Sequence, residues 1–391
     1  MERILAKYER KLIDQGLCDP GGILFGAIDA AVTWNRFPPE TEVLERIIQR
    51  METAAILLAR PAEPYASILD LLAASAASSG AIHPEDCEMR TFIHDIPVAP
   101  DLSVEEVLPR LKRRKAVIIP NRGILAHGTV TAEQAFVYYS SVCFSTFVKF
   151  FVDVGYAALR GKALSNEEVR VLHTALARYR DFTNAISAIP SRVGPFRDLS
   201  DALEAMVEAG RLTVETRMVD SYFGNISYRL GDTILISQTG SSLDELAGLI
   251  DICPMDGSST AALTASSELP AHRAVYESRR VSAILHGHPK FCVIMSMICG
   301  AEDCAHRGAC HVKCDQRRFI RDIPIVPGEV GGGPTGLYRT LPRVMSGRGA
   351  IVWGHGLFTT GTADFREAFN HCIDIERMCI SEYERLVSRV R

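Results

Sequence analysis

The stretch GAIVWG (349–354), then HGLFTTG (355–361) and ADFREAFNHCIDIERMCISEYERL (363–386), reads as a short β-branched strand, a glycine-bounded turn and a helix. The same order occurs earlier, where KAVIIP (115–120) precedes a glycine-containing turn and the helically spaced TAEQAFVYYSSVCFSTFVKFF (131–151). A unit written twice calls for comparison of the halves. ETEVLERIIQRMETAAILLARP (40–61) aligns without a gap on ELPAHRAVYESRRVSAILHGHP (268–289), an offset of 228. FIHDIPVAP (92–100) aligns on FIRDIPIVP (319–327) at 227, and IIPNRGIL (118–125) on IVWGHGLF (351–358) at 233. Three blocks in one order predict a duplicated domain.

A chain of 391 residues suits two domains, and 47% hydrophobic against 23% charged residues is enough apolar material for two cores. The expected division is a first domain over 1–160, a helical connector over 161–195 and a second domain over 196–391. The connector carries SNEEVRVLHTALARYRDF and ends in the turn Pro190 to Pro195. In the second domain SDALEAMVEAG predicts an amphipathic helix with Ser200 as N-cap, and TILIS (233–237) a strand. A net charge of −4 leaves no basic surplus for nucleic acid, the densest basic run being Arg110 to Lys115. The amino-terminal MERILAKYERKL has no secretory apolar core and no run nears about 18 apolar residues, so the expectation is a cytoplasmic chain without a membrane partner. Eleven cysteines in such a chain read as thiols or metal ligands.

His286 and His288 end the run VSAIL, and the period of two in a strand turns both imidazoles to one face. His355 sits in the glycine-flanked turn after AIVW. Three histidines with an open fourth position match the donor set of a catalytic zinc site. A lone His-x-His is more often packed or surface histidine. The repeat changes that, because the aligned residues in the first half are Leu58, Arg60 and Arg122, so the three candidate ligands are absent together.

GNISYR (224–229), ILISQTGSSLDEL (234–246), SSELPAH (266–272), ILHGHP (284–289) and VWGHGLFTTG (352–361) resemble, in order and spacing, the class II aldolase and adducin family, fuculose-phosphate aldolase type. The resemblance covers about 190 residues. It implies an α/β/α sandwich around a mainly antiparallel sheet, so that the chain holds two such α/β domains, the first degenerate and truncated. It also implies a divalent-metal enzyme, with Zn2+ the expected metal, that cleaves a small hydroxylated, phosphorylated substrate through a stabilised enediolate. His286, His288 and His355 match the family's metal ligands and Glu268 its proton-shuttling acid. Asn225, Thr239, Gly240, Ser266 and Ser267 match positions that hold the phosphate. Aldolases carry glutamate at the Glu268 position where related epimerases carry aspartate, and adducin-like members without the histidines are structural proteins. A decarboxylase or dehydratase on this scaffold, or a non-enzymatic interaction module, are the alternatives. Family assembly implies a homo-oligomer, either a tetramer or a dimer of two-domain chains with pseudo-four-fold symmetry.

The sequence also departs from the family. Residue 307, where the fuculose type places a tyrosine, is Arg. Around it lie Cys299, Cys304, Cys310, Cys314, His306 and His311, whose spacing fits no zinc or iron–sulfur pattern and leaves free thiols and a second metal both open. Gly331 to Gly333 reads as a flexible turn, with a phosphate loop as the alternative. Carried to the start of the chain, the offset of 228 puts the counterpart of Asn225 before Met1 and those of Thr239–Gly240 at Lys11–Leu12, so the first half is expected to lack both metal and phosphate cradle.

Overall fold

The computed structural model describes residues 1–391 except 221, 259–262, 302, 331–332, 346 and 389–391; Gly331 and Gly332 of the glycine run therefore lie outside the described residues. The chain forms two units. The first comprises Met1–Val154 and Leu164–Arg178; the second comprises Gly155–Ala163 and the chain from Tyr179 onward. The helix Asn166–Asn184, read above as a connector, thus contributes to both.

The first unit contains β1 (Cys18–Ile28), β2 (Val32–Trp34), β3 (Ala55–Pro61), β4 (Ala81–Ile82), β5 (Ile96–Pro97), β6 (Ala116–Ile119) and β7 (Gly123–Gly128). Five of them form a sheet in the order β2-β1-β3-β7-β6, while β4 pairs with β5. The second unit contains β8 (Asn225–Leu230), β9 (Thr233–Ser237), β10 (Ile250–Pro254), β11 (Ala283–Gly287), β12 (Arg318–Ile320), β13 (Ile323–Val326), β14 (Gly349–Val352) and β15 (Gly356–Gly361). Its sheet runs β10-β9-β8-β11-β15-β14-β13-β12, antiparallel except between β13 and β14. Leu269–Ser278 and Leu337–Val344 are helices that pack with Ile234, Ile284, Val352 and Phe358 in one apolar cluster. The helix Phe365–Val387 contacts the helices Leu199–Glu215 and Lys290–Met297, and the three together contact strands β8, β11, β14 and β15. Helix, sheet and helix layers follow.

Within the sheets the two registers coincide. His286 faces Phe358 on β15 and Asn225 on β8; Leu58 faces Leu125 on β7 and Leu24 on β1. Ile351 pairs with Leu357 and in parallel with Ile325, as Ile118 pairs with Ile124 and bridges in parallel to Val98. Even a side-chain bond recurs: Asn35 Oδ1 accepts the Phe25 N–H at 2.8 Å where Ser237 Oγ accepts that of Ile226 at 3.2 Å.

Several expectations are corrected here. The residue that shares Asn225's place in the register is Leu24, not one before Met1, and Lys11 and Leu12 lie in the helix Glu2–Asp14. The cause is a shorter link: the segment between β9 and Glu268 that carries β10 has no equivalent between β2 and Glu40. HGLFTTG and the matching RGILAHG are not turns alone. Gly356–Gly361 and Gly123–Gly128 are strands, because one tight reversal at Gly354–His355 or Asn121–Arg122 lets the β-branched and aromatic residues pair backwards. The Leu199–Glu215 helix is capped by Asp198, whose carboxylate accepts the Asp201 N–H at 3.0 Å, rather than by Ser200. Finally, Ala132–Leu159 is long and apolar enough to cross a membrane by length and composition, but 67% of its apolar window is buried inside the protein, as in a core helix.

Candidate metal centre

β11 delivers His286 and, one residue past its end, His288; the reversal between β14 and β15 delivers His355. All three are buried, their ligand nitrogens lie within 4.8 Å of one another, and the ring centroids are 4.9 to 5.1 Å apart. Among the described residues this is the one group of three or more His, Cys, Asp or Glu side chains that could hold a metal, so the cysteine-rich segment forms none. Its cysteines are free thiols.

Each ligand has a support. The His286 Nδ1–H donates to the Leu357 carbonyl at 3.1 Å, which leaves the lone pair on Nε2 facing the centre, and Phe358 stacks on the ring at 4.0 Å. His288 runs through Pro289 into the helix Lys290–Met297. Glu376 caps that helix, accepting the Phe291 and Cys292 N–H groups at 2.8 Å each and the Tyr179 hydroxyl at 2.8 Å. The Ser296 hydroxyl accepts the Gly354 N–H at 2.8 Å and so ties the His355 reversal to the same helix. Burial keeps two of the imidazoles neutral: His286 is pushed down to about 3 and His288 well below its ordinary value.

Glu268 stands at the N-cap of the helix Leu269–Ser278, 4% exposed, with Oε2 3.5 Å from His286 Nε2 and Oε1 3.5 Å from His355 Nε2. Burial raises its pKa against the pull of His355 and Asn225. A hydrogen-bonded chain aims it. The Asn225 amide donates to Oε2 at 2.7 Å; Asn225 Oδ1 lies 2.6 Å from His272 Nε2; His272 Nδ1 lies 2.6 Å from the Ser227 hydroxyl, and Tyr276 OH lies 2.8 Å beyond. Burial holds His272 neutral, its pKa lowered to about 3, so a single proton on Nε2 satisfies the chain in one direction. Sequence reading missed His272, Ser227 and Tyr276. The signal available was that His272 falls four residues after Glu268, on the same helix face.

The residues fit a divalent ion. His286 Nε2 and Glu268 Oε1 are buried without a hydrogen-bond partner among the described residues. A Cβ at Gly356 would come within 2.7 Å of His288 Cδ2 and 2.8 Å of His286 Cε1, so glycine is what leaves the rings their place. The turn at Thr239–Gly240 is exposed, with Gly240 at φ +67°, and it joins the 264–267 segment through Thr239 N–H to Thr264 O at 2.9 Å and Ser266 N–H to Ser237 O at 3.0 Å. Ser266 is buried and its hydroxyl accepts the Glu268 N–H at 3.3 Å, while Ser267 is exposed. The two turns and Glu268 are thus adjacent, and Asn225 reaches the same place through Glu268.

Residues 204–383 match the Class II Aldolase and Adducin N-terminal domain family, a span that contains every residue of this centre. The carboxy-terminal half belongs to the class II aldolase and adducin family. Over 169 residues the chain is 24% identical to a probable bifunctional methylthioribose-1-phosphate isomerase/methylthioribulose-1-phosphate dehydratase of Nocardia farcinica; the match covers 34% of this chain and 28% of that protein. The L-fuculose-1-phosphate aldolase of Thermus thermophilus is 18% identical with a TM-score of 0.37, covering 49% of this chain and 94% of that one. A sugar-phosphate aldolase of Thermotoga maritima is 17% identical with a TM-score of 0.37, covering 49% and 97%.

Proposed function

We propose that the class II aldolase half is a divalent-metal lyase that reversibly cleaves a carbon–carbon bond in a small hydroxylated, phosphorylated substrate. The observation that carries this is the buried Glu268 carboxylate, held 3.5 Å from two of three converging imidazoles, with Oε1 accepting no hydrogen bond among the described residues. A divalent ion held by His286, His288 and His355, with zinc the expected metal, would supply Lewis-acid stabilisation of the negative charge that develops beside a ketone as the bond breaks. Glu268 takes and returns the proton at the carbon next to that ketone: burial raises its affinity for protons, and Asn225 fixes the oxygen that receives one. The exposed Thr239–Gly240 turn and Ser267, with Ser266 and Asn225 beside them, orient the substrate's phosphate. The proton donor on the aldehyde side has no assigned residue.

A second reading, dehydration, is favoured by the likeness to a protein named for a methylthioribulose-1-phosphate dehydratase. The same carboxylate would remove a proton next to the carbonyl and a neighbouring hydroxyl would leave as water. A panel of ketose and aldose phosphates separates the two: aldehyde released in amounts equal to substrate consumed supports aldol cleavage, and a keto product of unchanged carbon count supports dehydration.

We further propose that the first unit is a degenerate copy without catalytic function. Supporting this are the shared strand order and register, and what stands at the ligand positions. Leu58 is packed in an apolar cluster with Leu24 and Leu125. Arg60 pairs with Asp70 at 2.7 Å, and the Arg122 guanidinium is ion-paired with Glu40, the residue aligned with Glu268. A fixed cation thus faces the carboxylate where His355 faces Glu268. Assembly as a dimer of two-unit chains or as a tetramer, in the cytoplasm, completes the reading; light scattering distinguishes two chains from four.

A further inference from the structure

Positive charge gathers around a cavity of the first unit that has no part in the proposed chemistry. The turn after helix Val104–Leu111 carries Lys112, Arg113, Arg114 and Lys115, and these line a cavity of about 410 Å³ together with Arg50 and His127. Arg114 is ion-paired with Asp95, and the Lys115 ammonium stands 5.9 Å from the centre of the Tyr138 ring. Arg50, Lys112 and Arg113 have no ion pair among the described residues, and Glu52 is the one acid in the lining. The end of the helix adds only about half a negative charge, which does not offset five cations.

His127 is the second observation. It is 4% exposed; its Nδ1 lies 3.3 Å from the Thr53 hydroxyl, which itself donates to Gly128 O at 2.8 Å, and its Nε2 has no hydrogen-bond partner among the described residues. Burial and the Lys115 ammonium hold the ring neutral against the Arg114 and Leu111 carbonyls, which favour a proton on it. A buried ring nitrogen without a partner among the described residues, on the wall of a cavity crowded with positive charge, is an arrangement that an anion completes.

We propose that this cavity binds a small phosphate-bearing molecule. Two guanidiniums without ion pairs and two ammonium groups supply forked and point-charge donors for a tetrahedral dianion, more charge than a single carboxylate requires. The volume lies in the range of small-metabolite pockets. A bound dianion favours the doubly protonated ring, whose Nε2–H then donates to the phosphate from the buried side, and the exposed Lys112 and Arg113 close over it from the solvent side.

The test is calorimetric titration of inorganic phosphate into the full chain. The expected result is saturable binding that weakens tenfold or more in Lys112→Ala/Arg113→Ala and in Arg50→Ala, falls with added sodium chloride, and persists in Ser266→Ala/Ser267→Ala. Lys112, Arg113 and Arg50 are exposed, so their replacement leaves folding intact, which circular dichroism verifies. Absence of saturable binding, binding unchanged in the Lys112→Ala/Arg113→Ala variant, or binding abolished by Ser266→Ala/Ser267→Ala would each overturn the proposal. The readout is binding in the first unit, so failure of the lyase reading leaves this result untouched.

Discussion

Gly356→Ala places a single methyl group where the three histidines are held apart. The added Cβ would lie 2.4 Å from the Gly287 carbonyl oxygen, 2.7 Å from His288 Cδ2 and 2.8 Å from His286 Cε1, whereas ordinary contact starts at 3.4 Å. The carbonyl must therefore retreat by about 1 Å and each ring by more than half an ångström. Metal–nitrogen bonds near 2 Å tolerate changes of about 0.2 Å, so the ligand set is displaced by several times its tolerance. Loss of metal affinity by at least about 10–100-fold follows, with an overpacking cost of about 1–3 kcal/mol in the metal-free protein. Competition of zinc against a chelator of known affinity measures the first, and thermal melts with and without chelator measure the second. Gly333→Ala, where a Cβ would meet nothing within 4 Å, serves as the control and should match wild type. A Gly356→Ala protein that keeps wild-type zinc affinity would refute the geometry argued for the centre.

Glu268→Gln should keep zinc and lose most turnover, since the carboxylate is assigned to proton transfer and not to the resting ligand set; retained turnover contradicts the assignment. His272→Gln should lower kcat with little change in metal content, because it breaks the chain that aims Glu268 through Asn225, whereas Tyr276→Phe, one step further out, should have a smaller effect on kcat. Unequal losses in that order support positioning, and an intact kcat in His272→Gln counts against it. For the metal-free protein, His272 and His286 are held neutral in the fold with pKa values lowered to about 3, against 6.5 when unfolded. The unfolded chain thus binds more protons, and stability present above pH 6.5 is lost as pH falls from there toward about 3, at up to about 1.4 kcal/mol per pH unit for each group. Glu268, raised above 4.5 by burial, acts in the opposite direction and trims that loss at the acid end. Melting temperatures of chelated protein should therefore fall between pH 7 and 5; a flat profile there contradicts the buried neutral pair.

The convergence of the three histidines was legible because their placement is local. A period-two strand end fixes His286 and His288, a glycine-flanked reversal fixes His355, and comparison of the halves showed all three positions changing together. Glu268 was legible only through the family's motif, since one carboxylate at a helix start looks like any surface acid. What eluded the sequence depends on contacts between distant elements. His272 looks like one more helix residue until β8 brings Asn225 and Ser227 against it. The place of Leu24 in the register was hidden by the missing segment, because a constant offset carries no information across a deletion. GLFTTG was read as turn because its glycines outweighed its β-branched core, although pairing with β14 is what decides. The Arg110 to Lys115 run was visible as charge, but only packing against Arg50 and His127 makes it a cavity.

The measurement that bears most directly on the central claim is the metal content of the chain by elemental analysis, wild type beside His286→Ala and His355→Ala. Both side chains are buried, so folding of each variant is verified first by circular dichroism. The account predicts one divalent ion per chain in wild type and essentially none in either variant, since two imidazoles make a poor site and the first unit offers Leu58, Arg60 and Arg122 in place of ligands. A folded variant that keeps a full equivalent of metal, or a wild type that holds none after purification without chelator, would contradict it.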